Sequence, residues 1–294
     1  MNSARFGTLL RKILGRPPLR PTAASGSPSP AVDRAVHPAL RTVTACPFCG
    51  KAFLWDDGLR CRACARRFPL ENGVPLISEH PEEVVRRVEG DVPRTNPYST
   101  GSLQLIRECK DGLVLDFGAG YPAEGERYAN VLQLDCVRYP TTDVVCTTPG
   151  MPFREESFDG IVCESVLEHL PDPFRFAREV RRVLKPGGVL RVDTAFLQPY
   201  HQDPDHYFNM TLSGIRQVFG DFEEIEAGVA AYQRISYSVV MILEAYGRCV
   251  PDPEVRSRIE ALLSYPLHEL NDYIDPQWHR AMGAGVFFLG RKKP

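Results

Sequence analysis

The chain has 294 residues, 43% of them hydrophobic, with 35 Lys and Arg against 37 Asp and Glu and a net charge of −2. That length admits two domains, or one with an appendage, and the hydrophobic share is enough for a substantial core. A near-neutral balance gives no global drive toward nucleic acid. No apolar run reaches the ~20 residues of a membrane span, and no signal-peptide pattern follows the basic start.

The charges are uneven at the N-terminus. Residues 1–44 carry Arg5, Arg11, Lys12, Arg16, Arg20, Arg34 and Arg41 against the single acid Asp33. Phe6, Leu9, Leu10, Ile13 and Leu14 follow one helical face, so residues 5–16 read as a short basic amphipathic helix. Such a helix fits a peripheral contact with an anionic membrane, or a dock on its own protein. The Pro- and Ser-rich stretch behind it reads as a linker, and residues 1–44 together as a flexible arm.

Nine cysteines follow two habits. Cys109, Cys136, Cys146, Cys163 and Cys249 are scattered singly in apolar surroundings, which suggests reduced core thiols and a cytoplasmic chain. Cys46-x2-Cys49 and Cys61-x2-Cys64 form two CxxC pairs separated by eleven residues, with Gly50 and Asp56–Gly58 as turn signals. Two such knuckles on a hairpin suit one tetrahedral Zn2+ whose four thiolates leave no open position, hence a structural site. Arg60, Arg62, Arg66 and Arg67 crowd the second knuckle and are a solvated face or a contact for RNA.

Phe68-Pro69 and Asn72-Gly73-Val74-Pro75 follow these pairs. With them, residues 45–79 resemble the small zinc-ribbon proteins that activate tRNA, rRNA and protein methyltransferases. The resemblance implies a ribbon fold and a methyltransferase nearby. A polar connector, residues 80–100, comes next.

From residue 101 onward strands and helices alternate, which predicts an α/β sheet. Strand candidates are Leu113–Phe117, Val131–Leu134, Asp143–Cys146, Gly160–Cys163 and Val189–Asp193, with a short helix expected between the first two. Phe174, Ala177, Val180 and Leu184 mark an amphipathic helix that Pro186-Gly187-Gly188 should stop. Ile215–Phe222 reads as a helix leading to a strand at Glu223–Ala227, and residues 230–280 as further helices.

The loop Asp116-x-Gly118-x-Gly120 admits either a dinucleotide or S-adenosylmethionine. Asp116 disfavours the first, because a carboxylate there repels a pyrophosphate and attracts a sulfonium or an ammonium. The nineteen residues from Asp116 to Asp135 are also short for a dinucleotide unit of ~30 residues. Asp135 accepts ribose hydroxyls in either reading.

Met151-Pro152-Phe153, Phe158-Asp159, Leu167-Glu168-His169 and Arg182–Gly188 lie downstream. With these motifs the stretch resembles class I S-adenosylmethionine-dependent methyltransferases of type 11. The resemblance implies a Rossmann-like sheet, mostly parallel with an antiparallel last strand, here "GAGVFFLGRKK", preceded by the ribbon. It implies that Asp116, Gly118 and Gly120 hold the methionine end, Asp135 the ribose, and Thr147 and Thr148 the adenine. Glu164 and Ser165 would line the floor near the methyl group. Pro122 and Thr147 depart from the family pattern, which usually has a third glycine and an acid there.

Phe196–Thr211 follows the fifth strand, at the edge where open α/β sheets bind ligands. Its His201, Asp203, Asp205 and His206 suit a lid over the acceptor, a general base (His201 or His206) or, least favoured, a divalent metal. The segment resembles an element of methyltransferases encoded near surface-polysaccharide genes, which implies a small-molecule or glycan-like acceptor. Two other readings stay open: an RNA methyltransferase that holds its substrate with the ribbon, and a non-catalytic activating subunit.

Overall fold

A computed structural model describes residues 37–79, 94–122, 127–201, 205–263 and 266–294. The basic helix expected at residues 5–16 and Asp203 lie outside the described residues. Among the described residues, no helix is long and apolar enough to cross a membrane.

Four short strands open the sheet: β1 (Phe53–Trp55), β2 (Gly58–Cys61), β3 (Arg67–Glu71) and β4 (Val74–Ile77), paired antiparallel in sequence. Asn72 and Gly73, at φ 49° and 78°, make the tight turn between β3 and β4, as Asn-Gly does when a two-residue hairpin needs two left-handed residues. The alternating core follows from α2 (Thr100–Glu108), β5 (Val114–Phe117), β6 (Val131–Asp135), β7 (Val144–Cys146), β8 (Phe158–Glu164), α3 (Pro173–Val183) and β9 (Leu184–Ala195). Then come α4 (Leu212–Val218), β10 (Phe222–Gly228), α5 (Ile235–Cys249), α6 (Pro253–Leu263), α7 (Pro276–Met282) and β11 (Gly285–Lys292).

The strands form one sheet in the order β1-β2-β3-β4-β7-β6-β5-β8-β9-β11-β10. Neighbours from β4 to β9 run parallel, and β11 lies antiparallel between β9 and β10. This is the expected Rossmann-like sheet with an antiparallel closing strand. Strand order reverses between β5 and β8, so a ligand crevice opens beyond their carboxyl ends.

Among the described residues, contacts cross the bounds expected between arm (1–44), ribbon (45–79), linker (80–100) and the following domain, while residues 1–36 and 80–93 lie outside the description. Strand β4 pairs parallel with β7 through Leu76–Val145 and Ile77–Cys146, so the last of the four N-terminal strands widens the central parallel sheet. Leu40, Val43, Phe53, Leu59 and Phe68 share one core cluster with Leu115, Leu132 and Val180. Residues 37–44 are packed rather than a free arm: α1 (Leu40–Val43) buries Leu40 and Val43, and Thr44 bridges to Phe153. At residues 94–99 the supposed linker folds back onto the glycine loop: Thr95 N–H donates to Tyr121 O (2.8 Å) and Arg94 stacks over the Tyr121 ring. None of these contacts has a periodic signature, because each joins segments far apart in sequence.

Other expectations are corrected locally. No described residue in 118–122 or 127–130 is helical, so the short helix expected between β5 and β6 is absent there. Helix α3 ends at Val183, before Pro186-Gly187-Gly188, which instead sit inside β9 where its pairing with β8 is irregular. Phe174 points to solvent, and the buried face is Phe176, Ala177, Val180 and Val183. The next helix spans Leu212–Val218 rather than running to Phe222. Cys146 and Cys163 are buried thiols, but Cys136 and Cys249 are exposed rather than core residues.

Candidate functional site

Three carboxylates share one face at the carboxyl ends of the central strands. Asp116 pairs with Val162 on β8, and Glu164, two residues on, pairs with Asp193 on β9. The side-chain period of two in a strand therefore places Asp116, Glu164 and Asp193 together.

Each acid has a protein partner. Tyr98 donates its O–H to Asp116 Oδ2 (2.5 Å). Ser102 Oγ and the Ser99 N–H donate to Glu164 Oε1 (2.6 and 3.1 Å), so Glu164 caps the start of α2. Asp193 pairs with Arg191 (3.1 Å) and accepts from Tyr232 O–H (3.1 Å). Burial, reinforced by the neighbouring acids and opposed by these partners, pushes the Asp116 and Asp193 carboxyls up to about 7.

The glycine loop is braced from the second strand. Asp135 Oδ2 accepts from Gly120 N–H and its Oδ1 from Val137 N–H, both at 2.8 Å. Gly118 and Gly120 take φ of 77° and 59°, which disfavours a side chain at either position. A Cβ on Gly118 would fall 2.3 Å from a Val166 methyl, and one on Gly120 the same distance from a Thr95 methyl. A side chain at either glycine would therefore collide with Val166 or Thr95.

Thr147 is exposed and ties its N–H to Ile77 O on the ribbon's last strand (3.0 Å). Thr148 donates to Gly150 O (2.7 Å) and borders a cavity of about 100 Å³ with Phe117, Cys146, Leu170 and Phe176. Ser165 sits at φ 55° with its N–H on Asp193 O (2.9 Å). Asp116, Gly118, Gly120, Asp135, Glu164 and Ser165 thus lie at the carboxyl ends of the adjacent strands β5, β6 and β8, with Thr147 and Thr148 following β7.

Above β8 and β9, backbone hydrogen bonds fix residues 207–210 of the segment after β9. Tyr207 N–H donates to Glu168 O (2.8 Å) and Met210 N–H to Ala195 O (2.7 Å). The rings of His201 and His206 are 4.3 Å apart, and His169 joins them at 5.1 and 6.0 Å. Burial and the two neighbouring imidazoles hold His201 below its ordinary pKa, in the neutral form, against the pull of Pro199 O. His206 Nε2 lies 3.1 Å from Asn209 Oδ1 and 3.2 Å from Phe208 O, and its Nδ1 accepts the His201 N–H.

Tyr98, Asp193, Tyr232 and the pair Glu168–His169 were missed as site residues. Leu167-Glu168-His169 was visible as a motif, and Asp193 as a strand end. Tyr98 and Tyr232 carry no local signal, since only long-range folding brings them to the carboxylates.

The four cysteines of the ribbon converge, with all four Sγ atoms within 4.8 Å of one another. Cys46 and Cys64 lie 3.6 Å apart, and Cys49 and Cys61 3.4 Å apart. Gly50 N–H closes the first knuckle on Cys46 O, and Cys61 N–H closes the second on Arg66 O. A compact, closed set of four thiols is the donor set and shape that tetrahedral Zn2+ takes.

Residues 117–192 match a family model described as a methyltransferase domain. Over 89 residues the chain is 32% identical to a tRNA U34 carboxymethyltransferase of Campylobacter curvus, covering 25% of this chain and 30% of that protein. Over 63 residues it is 36% identical to a ubiquinone biosynthesis O-methyltransferase of Xanthomonas campestris, covering 21% and 24%. Among solved structures, a phosphoethanolamine N-methyltransferase 2 of Haemonchus contortus in complex with S-adenosyl-L-methionine aligns with TM-score 0.38 at 18% identity, over 65% of this chain and 53% of that one. The aligned segments thus span under a third of the length of these two relatives. The match lies from β5 to β9, across the glycine loop, Asp135 and Glu164, inside a sheet of the class I order. Residues 117–192 therefore match a methyltransferase domain, and they lie in a mostly parallel sheet closed by an antiparallel strand.

Proposed function

We propose that this chain transfers a methyl group from S-adenosylmethionine to a hydroxyl or amine of a small-molecule, glycan-like acceptor. The observation that carries it is the row Asp116, Glu164 and Asp193 at the switch point, beside a glycine loop held by Asp135. Two buried acids, Asp116 and Asp193, and the half-buried Glu164, offset by one arginine, fit a cationic ligand. A pyrophosphate would meet like charge, and none of the described residues after the loop supplies a helix N-terminus for it.

S-adenosylmethionine, when bound, supplies an electrophilic methyl carbon with a good leaving group. Asp116 and Glu164 would hold the ammonium end, Asp135 the ribose, and Thr147 and Thr148 would border the adenine. The work left to the chain is to orient the acceptor, exclude water and take its proton. The segment after β9 supplies the first two. His201, kept neutral, is better suited to the third than His206, whose two nitrogens are both engaged.

Calorimetry with S-adenosylhomocysteine tests the site, and mass spectrometry of a cell extract given enzyme and isotopically labelled methyl donor identifies the acceptor. Absence of saturable binding would instead favour an activating subunit. A second reading, RNA methylation, draws on exposed Arg60, Arg62, Arg66 and Arg67 along the second knuckle. Salt-dependent RNA binding lost on replacing Arg62, Arg66 and Arg67 would support it.

A further inference from the structure

Glu168, His169 and His201 place one ligand-capable atom each within 4.8 Å of one another. Their surroundings decide which ring nitrogens hold a lone pair for an ion. His169 Nδ1 lies 2.5 Å from Asp205 O, and His201 Nδ1 3.2 Å from Pro199 O. A carbonyl only accepts, so each ring carries its proton on Nδ1 and presents Nε2 as a lone pair. Among the described residues no hydrogen bond engages either Nε2. Glu168 is 1% exposed, and its Oε2 accepts from Thr194 Oγ1 (2.9 Å).

Two imidazoles oriented by backbone carbonyls and a carboxylate oriented by a hydroxyl are how proteins prepare metal ligands. His206 differs. Its Nδ1 accepts the His201 N–H, and its Nε2 faces Asn209 Oδ1 and Phe208 O, so neither nitrogen is left for an ion.

We propose that Glu168, His169 and His201 form a binding site for a first-row divalent cation at the acceptor end of the crevice, distinct from the ribbon zinc. Three protein ligands of this kind leave open positions for an exogenous oxygen. The site is the turn after β8 facing the loop after β9, so the ion sits where an acceptor enters. A cation there would lower the pKa of a hydroxyl bound to it, the proton leaving to solvent water, and so favour an oxygen acceptor over an amine. That last step rests on the methyl-transfer reading, whereas the binding site itself does not. In this arrangement His201 is a ligand rather than the base.

The test uses the full chain with its ribbon zinc in place, confirmed at one zinc per chain after a brief chelator wash. Mn2+ is titrated in and free ion followed by electron paramagnetic resonance, with Zn2+ calorimetry as a parallel probe. One further ion per chain is expected, weakened at least tenfold in His169→Ala and in His201→Ala and changed less than threefold in His206→Ala. Absence of a second saturable site for both ions overturns the proposal, as does binding that depends on His206 as strongly as on His169. S-adenosylhomocysteine binding by the same variants reports the fold and the cofactor crevice separately. A chain that takes the ion but not S-adenosylhomocysteine refutes the methyl-transfer reading alone, and the reverse result refutes the ion site alone.

Discussion

Tyr98, from a segment that reads as linker, donates its hydroxyl proton to Asp116 Oδ2 at the mouth of the glycine loop. The bond ties the start of α2 to the acid that would meet the cofactor's ammonium. It also opposes the burial that otherwise raises that carboxyl. Tyr98→Phe is expected to raise the Asp116 pKa further and weaken S-adenosylhomocysteine binding several-fold at pH 7, less at pH 8.5 where the carboxylate is restored. A loss of equal size at both pH values would assign Tyr98 to packing alone.

The raised acids make the unliganded protein less stable as pH rises. An acid whose folded pKa exceeds its unfolded value binds more protons when folded, so its contribution is complete below about pH 4 and lost by about pH 7. Thermal unfolding of wild type and Asp116→Asn from pH 4.5 to 8 should give a flatter curve for the variant. Parallel curves would mean Asp116 titrates normally.

Asp135 holds Gly120 and Val137 by their backbone N–H groups, one per carboxylate oxygen. Asp135→Ala removes both bonds and, on the proposed reading, a ribose acceptor, with an expected loss of ~10–100-fold in cofactor affinity, at about 1.4 kcal/mol per tenfold. Unchanged affinity by calorimetry would remove Asp135 from the site.

Arg191 and Asp193 are a buried pair, Arg191 also stacking on Phe287 (4.3 Å). Arg191→Met leaves the Asp193 charge without its cation and should cost about 3–5 kcal/mol in denaturant unfolding. Adding Asp193→Leu should recover part of that loss, and an additive double variant would deny the coupling.

Zinc removal should not unfold the ribbon alone. Because β4 pairs with β7 and both halves share one core, Cys61→Ser or chelation should lower the single transition of the whole chain. It should also weaken cofactor binding through Thr147, whose N–H rests on Ile77 O. Two separate transitions, the cofactor-binding one unmoved, would restore the picture of independent domains.

What was legible in the sequence is what repeats locally. Two CxxC pairs dictate a four-thiol centre because ligand spacing is set by the knuckle itself. Asp116-x-Gly118-x-Gly120 and Asp135 were readable because a strand ending in a glycine turn needs those residue types. Strand β8 and helix α3 announced themselves by apolar pattern, although the helix phase misled at Phe174, where an aromatic ring faces solvent.

Tertiary structure alone decided the rest. The parallel pairing of β4 with β7, and the approach of Tyr98 and Tyr232 to the acids, join residues dozens of positions apart. The meeting of Glu168-His169 with His201 depends equally on where the loop after β9 docks. No periodicity encodes such contacts, because they arise from the order in which strands assemble into the sheet. A chain can therefore display its glycine loop and its four converging cysteines in plain sequence, while the contacts between its segments and the grouping of Glu168, His169 and His201 exist only once it is folded.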